Sequence, residues 1–246
     1  LATHNPTVVE AEANKRIVKN PATELSETLE QVVGRRVDYL TKYQNSSYAA
    51  RYRSLVDTVK TAETTKTPGT NGFAEAVARY AFKLMAYKDE YEVARLHSDG
   101  TFLGKIRQTF EGDFKLTFHL APPLLTRRDP HTGHPKKMTF GPWIMVAFRI
   151  LAKLKILRGT PLDIFSYTSE RRQERQFVED YFETIEELVA KLDHENHSLA
   201  TQIAEIPELI RGYGHIKATT MEDAEVKKAQ LMGAFRDPVQ RPAAAE

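Results

Sequence analysis

The chain of 246 residues contains no cysteine. This absence excludes disulfides, iron–sulfur clusters held by thiolates from this chain, and cysteine nucleophiles. Long apolar runs are also missing, since the longest, Trp143–Phe148, stops at Arg149 and falls well short of the roughly 20 residues that a membrane span needs. No signal-peptide pattern is present near the start of the chain. We therefore expect a cytoplasmic protein with no membrane partner.

A strong overall charge is absent as well, because the formal net charge is only +2. An electrostatic partner must then be recognised by a local patch of charge. The sequence has no Gly-x-Ser-x-Gly, no His-Glu-x-x-His and no P-loop, so no nucleophile with its base can be assigned. The chain starts at Leu1 without an initiator methionine, which suggests a piece of a longer or trimmed protein.

What the chain does have is the composition of a globular protein, with 41% apolar and 28% charged residues. Apolar residues recur with a period of 3.6 almost throughout, which predicts a mainly α-helical bundle. Between residues 114 and 140 the period changes to two, and this change predicts a small β-hairpin. We expect a lead-in over residues 1–25, a single helical domain over 26–236 and a flexible tail over 237–246.

Several helix boundaries can be predicted. Ser26 is a suitable N-cap for a region that forms one long helix, or two helices broken near Asn45. An apolar stripe runs without interruption from Val77 to Ala94 and predicts one continuous helix. The last helix is expected to run from about Thr220 to Phe235.

The helix that follows Pro142 is apolar over most of its circumference, which is typical of a central, buried helix. Its predicted apolar face consists of Trp143, Ala147, Ile150, Leu154 and Leu157, and Ile144, Phe148 and Leu151 add to this face.

A charged triplet lies in the middle of the Val77–Ala94 stripe and consists of Lys88, Asp89 and Glu90. One interpretation is a charged cluster facing a cleft, with Arg95 and His97 one to two turns further on. The interpretation that we favour is a solvated helix face with a Lys88–Glu92 pair. Tyrosines on both sides of the triplet would allow a partly buried hydrogen-bond network.

Two other segments contain candidate binding residues. Gly212-Tyr213-Gly214-His215 lacks the third glycine of a dinucleotide fingerprint. It is more simply a helix–helix corner, from which His215 and Lys217 could face a ligand or a neighbouring domain. His131 and His134 have the spacing of metal ligands, but no third ligand is close in sequence, and a solvated turn is the better interpretation.

The strongest charge asymmetry lies in the basic strip, which we define as Thr126–Arg158. It contains eight lysines and arginines against one acid, Asp129. Such a strip attracts phosphate groups or an acidic protein, although ordinary surface residues are an equal alternative. Nucleic acid is disfavoured, because exposed aromatics and recognised binding motifs are lacking. The leading candidates are Arg127 and Arg128 on one side of the predicted turn, and Lys136 and Lys137 on the other.

Three segments together carry a resemblance: YKDEYEVARLH at Tyr87–His97, FHLAPPLL at Phe118–Leu125 and RGYGHIK at Arg211–Lys217. With RRDPHTGHPKK and FGPW between the last two, they resemble the C-terminal domain of the long, fused bacterial indolepyruvate ferredoxin oxidoreductases. The similarity extends from about Asn5 to Phe235.

The resemblance implies an enzyme that oxidatively decarboxylates aryl or branched 2-oxoacids to acyl-coenzyme A. It implies thiamine diphosphate, [4Fe-4S] clusters and coenzyme A in the full enzyme, and ferredoxin as electron acceptor. The thiamine diphosphate Gly-Asp-Gly signature and the cluster cysteines are absent from this chain, so no catalytic residue can be transferred to it. The resemblance therefore predicts a non-catalytic domain whose partners are other domains or subunits of the oxidoreductase, with a homo-oligomer as a further option. The alternative is a free-standing helical protein-interaction module.

Overall fold

A computed structural model describes residues 27–112, 114–121, 136–212 and 215–237. Within these residues it contains nine α-helices and one two-stranded antiparallel sheet, which confirms the predicted fold class. The elements are α1 (Leu29–Tyr43), α2 (Ser46–Lys66), α3 (Phe73–Met85), α4 (Glu90–Ser98), α5 (Thr101–Thr109), β1 (Phe118–Leu120), β2 (Met138–Phe140), α6 (Ile144–Lys153), α7 (Ser169–Ala190), α8 (His197–Ala204) and α9 (His215–Arg236). Short 3-10 turns follow α6 at Leu154–Leu157 and α8 at Ile206–Leu209.

The first two helices form separately, as one of the two sequence interpretations predicted. Asn45 ends the connection between them, and its side chain accepts a hydrogen bond from the Tyr48 amide at 2.8 Å. The N-cap of α1 is Thr28, two residues after Ser26, and a capping box with Gln31 satisfies the free amides there. Ser26 itself lies outside the described residues.

The predicted continuous helix over Val77–Ala94 is wrong, because α3 ends at Met85 and α4 begins only at Glu90. Asp89 has extended backbone geometry and caps α4 by accepting a hydrogen bond from the Glu92 amide at 2.8 Å. The apolar spacing continues across the break because residues on both sides of it, such as Met85 and Tyr91, are buried.

The main core lies between α1, α2, α3, α7, α8 and α9. Its fully enclosed side chains include Leu40, Tyr52, Phe73, Ile185 and Leu188. Interlocking apolar faces of this kind supply most of the free energy that holds a helical bundle together.

A second, smaller cluster joins α4 and α6 to the sheet, through Ala94, Phe118, Ile144, Met145 and Phe148. The three-residue strands pair in the register Phe118↔Phe140, His119↔Thr139 and Leu120↔Met138. Strand β1 is shorter than the alternating pattern from residue 114 predicted.

The last helix starts at His215, five residues earlier than predicted, shortly after Gly212 adopts a positive φ of 87°. No helix in the described part of the chain is long and apolar enough to cross a membrane.

Candidate functional site: an exposed apolar and basic face beside a buried ionic joint

A buried ion pair connects the two clusters. Arg158 donates two hydrogen bonds to the Asp89 carboxylate, from Nε at 2.6 Å and from Nη2 at 2.9 Å. Its Nη1 donates to the Tyr43 carbonyl at 2.7 Å, and the guanidinium lies 3.8 Å from the centre of the Tyr43 ring. Both charged side chains are 4% exposed. The pair therefore ties the segment after α6 to the end of α1 and the start of α4.

Two further contacts of α4 extend this joint. Tyr91 donates to the Asp163 carboxylate at 3.0 Å. Glu92 is completely buried and accepts hydrogen bonds from Arg95 at 2.7 and 2.8 Å and from the Tyr39 hydroxyl at 2.5 Å. Burial and the Glu92 carboxylate raise the pKa of Tyr39 to about 12. Asp89, Tyr91, Glu92 and Arg95 thus belong to a set of mutually satisfied polar groups. In the same segment, His97 Nδ1 is buried without a hydrogen-bond partner among the described residues.

The charged triplet is divided among three environments. Lys88 is exposed, Asp89 is buried in the joint, and Glu90 pairs with Arg171 at 3.2 Å. Glu92 forms an ion pair with Arg95, and the predicted Lys88–Glu92 pair is not formed. The partly buried tyrosine network that the sequence indicated is present.

Sequence reasoning missed a second buried carboxylate. Glu63 accepts hydrogen bonds from the amides of Phe73 at 2.9 Å and Ala74 at 3.0 Å, so that it caps α3 from the end of α2. His197 Nε2 lies 2.7 Å from the same carboxylate. These contacts join three helices, and their sequence separation left no local signal.

The basic strip separates into interior and surface parts. Arg158 is in the buried joint, and Lys155 donates to the Lys42 carbonyl, with a pKa lowered by burial. Four cations are exposed: Lys136, Lys137, Arg149 and Lys153. None of the four has an ion-pair partner among the described residues. Arg127 and Arg128, the leading sequence candidates, lie outside the described residues.

The structure divides the apolar face predicted for helix α6 between the interior and solvent. Its buried side is formed by Ile144, Met145 and Phe148. The predicted inward residues Trp143 and Ile150 are 63% and 59% exposed. The helix is apolar on both sides, so its periodicity alone could not distinguish the side that packs inward from the side that faces solvent.

The exposed side of α6 carries a continuous apolar row with cations at its edge. The row starts at Trp143, just before α6, continues through Val146 and Ile150, and ends at Leu154 in the 3-10 turn, at spacings of three, four and four residues. At about 100° per residue these side chains fall within roughly a quarter of the helix circumference. Arg149 and Lys153 both lie along one side of the row. We call these six residues the α6 face. The sequence does contain one signal for this face, since residues 130–162 include no acid.

The remaining candidates do not join this face within the described structure. His215 and Lys217 start helix α9, but their side chains lie outside the described residues, as do His131 and His134 entirely. Among the residues that are described, no group of three or more histidines, aspartates or glutamates could hold a metal ion.

One family model matches the chain over residues 29–230, and its description is "Family of unknown function (DUF6537)". No curated protein and no solved structure showed a significant match.

Proposed function

We propose that this chain, which belongs to the DUF6537 family, is a non-catalytic docking domain of a 2-oxoacid:ferredoxin oxidoreductase similar to the fused indolepyruvate enzymes. In this proposal the complete enzyme is cytoplasmic. Thiamine diphosphate, the [4Fe-4S] clusters and the coenzyme A chemistry belong to its other domains or subunits. The domain itself supplies a binding surface.

The resemblance is the basis for the oxidoreductase part of the proposal. Tyr87, Asp89, Tyr91, Glu92 and Arg95, all within its first motif, have their polar groups in the ionic joint or bordering it. Residues of this kind define a fold, because removing one partner of a buried network leaves the others unsatisfied. A motif of this kind identifies a shared domain fold. It therefore supports the proposal that this chain belongs to the same kind of enzyme, but it assigns no catalytic residue to the chain.

The single observation that carries the docking role is a set of exposed cations, before β2 and on α6, that have no acid partner among the described residues. Lys136, Lys137, Arg149 and Lys153 face solvent without an acid partner among the described residues. Cations in this state are available to attract phosphate oxygens or carboxylates. The ligands that fit are the phosphates of coenzyme A or the acidic surface of an electron acceptor such as ferredoxin.

A dye-reduction assay tests the enzymatic context. The complete protein that contains this chain should reduce a viologen dye with indolepyruvate and coenzyme A, whereas the isolated chain should not. Activity of the isolated chain would contradict the non-catalytic role. A complete, cofactor-loaded protein without 2-oxoacid oxidation would contradict the oxidoreductase assignment.

Neutral variants of the exposed cations test the docking role in the complete enzyme. We would replace Lys136, Lys137, Arg149 and Lys153 with Gln, with a second set at Arg127 and Arg128. If the cations guide an acidic acceptor, its association rate should fall and lose its salt dependence. If they hold coenzyme A, its KM should rise. Matched controls are Lys60→Gln and Lys227→Gln, exposed cations on α2 and α9. If neither the association rate of the acceptor nor the KM for coenzyme A changes, these cations have no docking role and are ordinary surface residues.

The second candidate is a free-standing helical interaction module. The α6 face favours it equally, since an exposed apolar row is what such a module needs. A thiamine-binding region encoded upstream in the same reading frame would support the oxidoreductase domain instead.

A further inference from the structure

We propose that the α6 face binds an acidic amphipathic helix of a partner protein or domain. This inference deepens the proposed docking role, on which it rests, but does not depend on the assignment to an oxidoreductase. It names the ligand as a protein segment with an apolar row and carboxylates along one edge.

The apolar row favours a helix as the ligand. The exposed side chains of Trp143, Val146, Ile150 and Leu154 repeat at helical spacing along α6 and the residues at its two ends, so they present a ridge of large side chains. A helix with apolar residues at its own i, i+3, i+4 and i+7 positions can pack against such a ridge. Exposed apolar side chains that form a contiguous patch typically mark an interaction site.

The cations decide the charge of the ligand. Arg149 and Lys153 lie on the same side of the apolar row, and neither has an acid partner in the described part of the chain. The nearest acid in sequence after them is Asp163, which is buried and accepts hydrogen bonds from Tyr91 and the Gly159 amide. No acid among the described residues therefore neutralises the charge of the face, and carboxylates on the ligand complement it.

The same asymmetry disfavours two other occupants. A second copy docked through this face would bring two positive edges together, and no described residue of the face is an acid that could offset them. A membrane surface suits a helix whose cations oppose its apolar side, but the side of α6 opposite its apolar row is buried against Phe118 and other members of the second cluster. Both occupants remain outcomes of the experiment.

The chain contains its own reporter for the test. Trp143 is the only tryptophan among the 246 residues, and it lies in the apolar row. Docking should shift its emission to the blue and protect it from acrylamide, because the indole leaves water. The probe is a synthetic helical peptide with leucines at i, i+3, i+4 and i+7 and glutamates beside them. Its control has lysine in place of every glutamate.

The full 246-residue chain should bind the glutamate peptide about tenfold more tightly than the lysine peptide at low salt, as expected for two edge ion pairs of about 0.7 kcal/mol each. The chain with Arg149→Glu and Lys153→Glu should reverse this preference. Ile150→Glu should abolish binding, whereas Val226→Glu, at an exposed position on α9, should not. Circular dichroism of each variant checks that it is folded.

Four results would overturn the proposal. The first two are equal affinity for the two peptides and no change in Trp143 fluorescence with either peptide. The other two are binding of the chain only to vesicles of phosphatidylglycerol and phosphatidylcholine, and a dimer of the chain that Ile150→Glu abolishes. Failure of the oxidoreductase assay would leave this result unaffected, since the peptide titration requires no activity. Conversely, if the complete enzyme is active but the chain binds neither peptide, the oxidoreductase proposal stands and the inference about the α6 face is wrong.

Discussion

Asp89 and Arg158 are 69 positions apart in sequence, and they form the bidentate ion pair that connects the N-terminus of α4 to the segment after α6. Asp89 also caps α4, so one carboxylate both starts a helix and holds the joint between the two apolar clusters. Its replacement therefore has consequences at both levels.

Replacing Asp89 with Asn should destabilise the chain by about 3–5 kcal/mol, because Arg158 would remain buried without a counter-charge. The measurement is urea unfolding followed by circular dichroism. Replacing Arg158 with Met in addition should recover part of the loss, since neither charge then remains. The control is Glu27→Gln, which breaks an exposed pair with Arg35 and should cost less than about 1 kcal/mol. Strict additivity of the two joint variants would contradict the coupling.

Replacing Glu63 with Ala should cost about 3 kcal/mol or more, because two buried amides lose their acceptor at about 1–3 kcal/mol each. Glu63→Gln keeps one carbonyl oxygen and should be milder. The comparison is Thr28→Ala, which removes an exposed cap of α1 and should cost about 1 kcal/mol. Equal costs for Glu63→Ala and Thr28→Ala would show that the buried cap is not needed.

The Glu187–Arg236 pair should make stability depend on pH in the acid range. Hydrogen bonds from Arg236 and Lys191 lower the pKa of Glu187 to about 2, from an ordinary value of 4.5. Because the folded pKa is the lower one, this contribution is complete above about pH 5 and is lost as the pH falls towards 2. Its size should not exceed about 1 kcal/mol, since Arg236 is largely exposed.

Unfolding measurements from pH 7 to pH 2 on the protein and on Glu187→Gln check this expectation. The difference in the free energy of unfolding should be largest at neutral pH and vanish near pH 2. Glu222→Gln, an exposed carboxylate on α9, is the control and should show no such trend. A difference that grows on acidification would have the wrong sign.

The two sides of α6 should respond differently to truncation. Phe148→Ala removes a buried ring that stacks on His97 at 5.4 Å, and it should cost about 3–5 kcal/mol. Ile150→Ala, on the exposed side, should change stability by less than about 0.5 kcal/mol. Thermal and urea unfolding of the two variants provide the measurement. A larger loss at Ile150 would mean that the helix is turned the other way.

The sequence alone determined the fold class, because periods of 3.6 and 2 follow directly from the geometry of helices and strands. It also offered the break between α1 and α2 as one of two options, since this break depends on a side chain that bonds to the nearby backbone. Local chemistry of this kind does not need the rest of the molecule.

Only the tertiary structure decided which side of α6 is buried, where α3 ends and which charges pair. Asp89 meets Arg158 and Glu63 meets His197 across 69 and 134 positions. No local pattern records such distances, because burial and pairing depend on how separate helices pack. The same packing buries Arg158, the last residue of the basic strip, and leaves Arg149 and Lys153 exposed to solvent. The exposed α6 face thus includes Trp143, Ile150 and Leu154, which periodicity had assigned to an inward face.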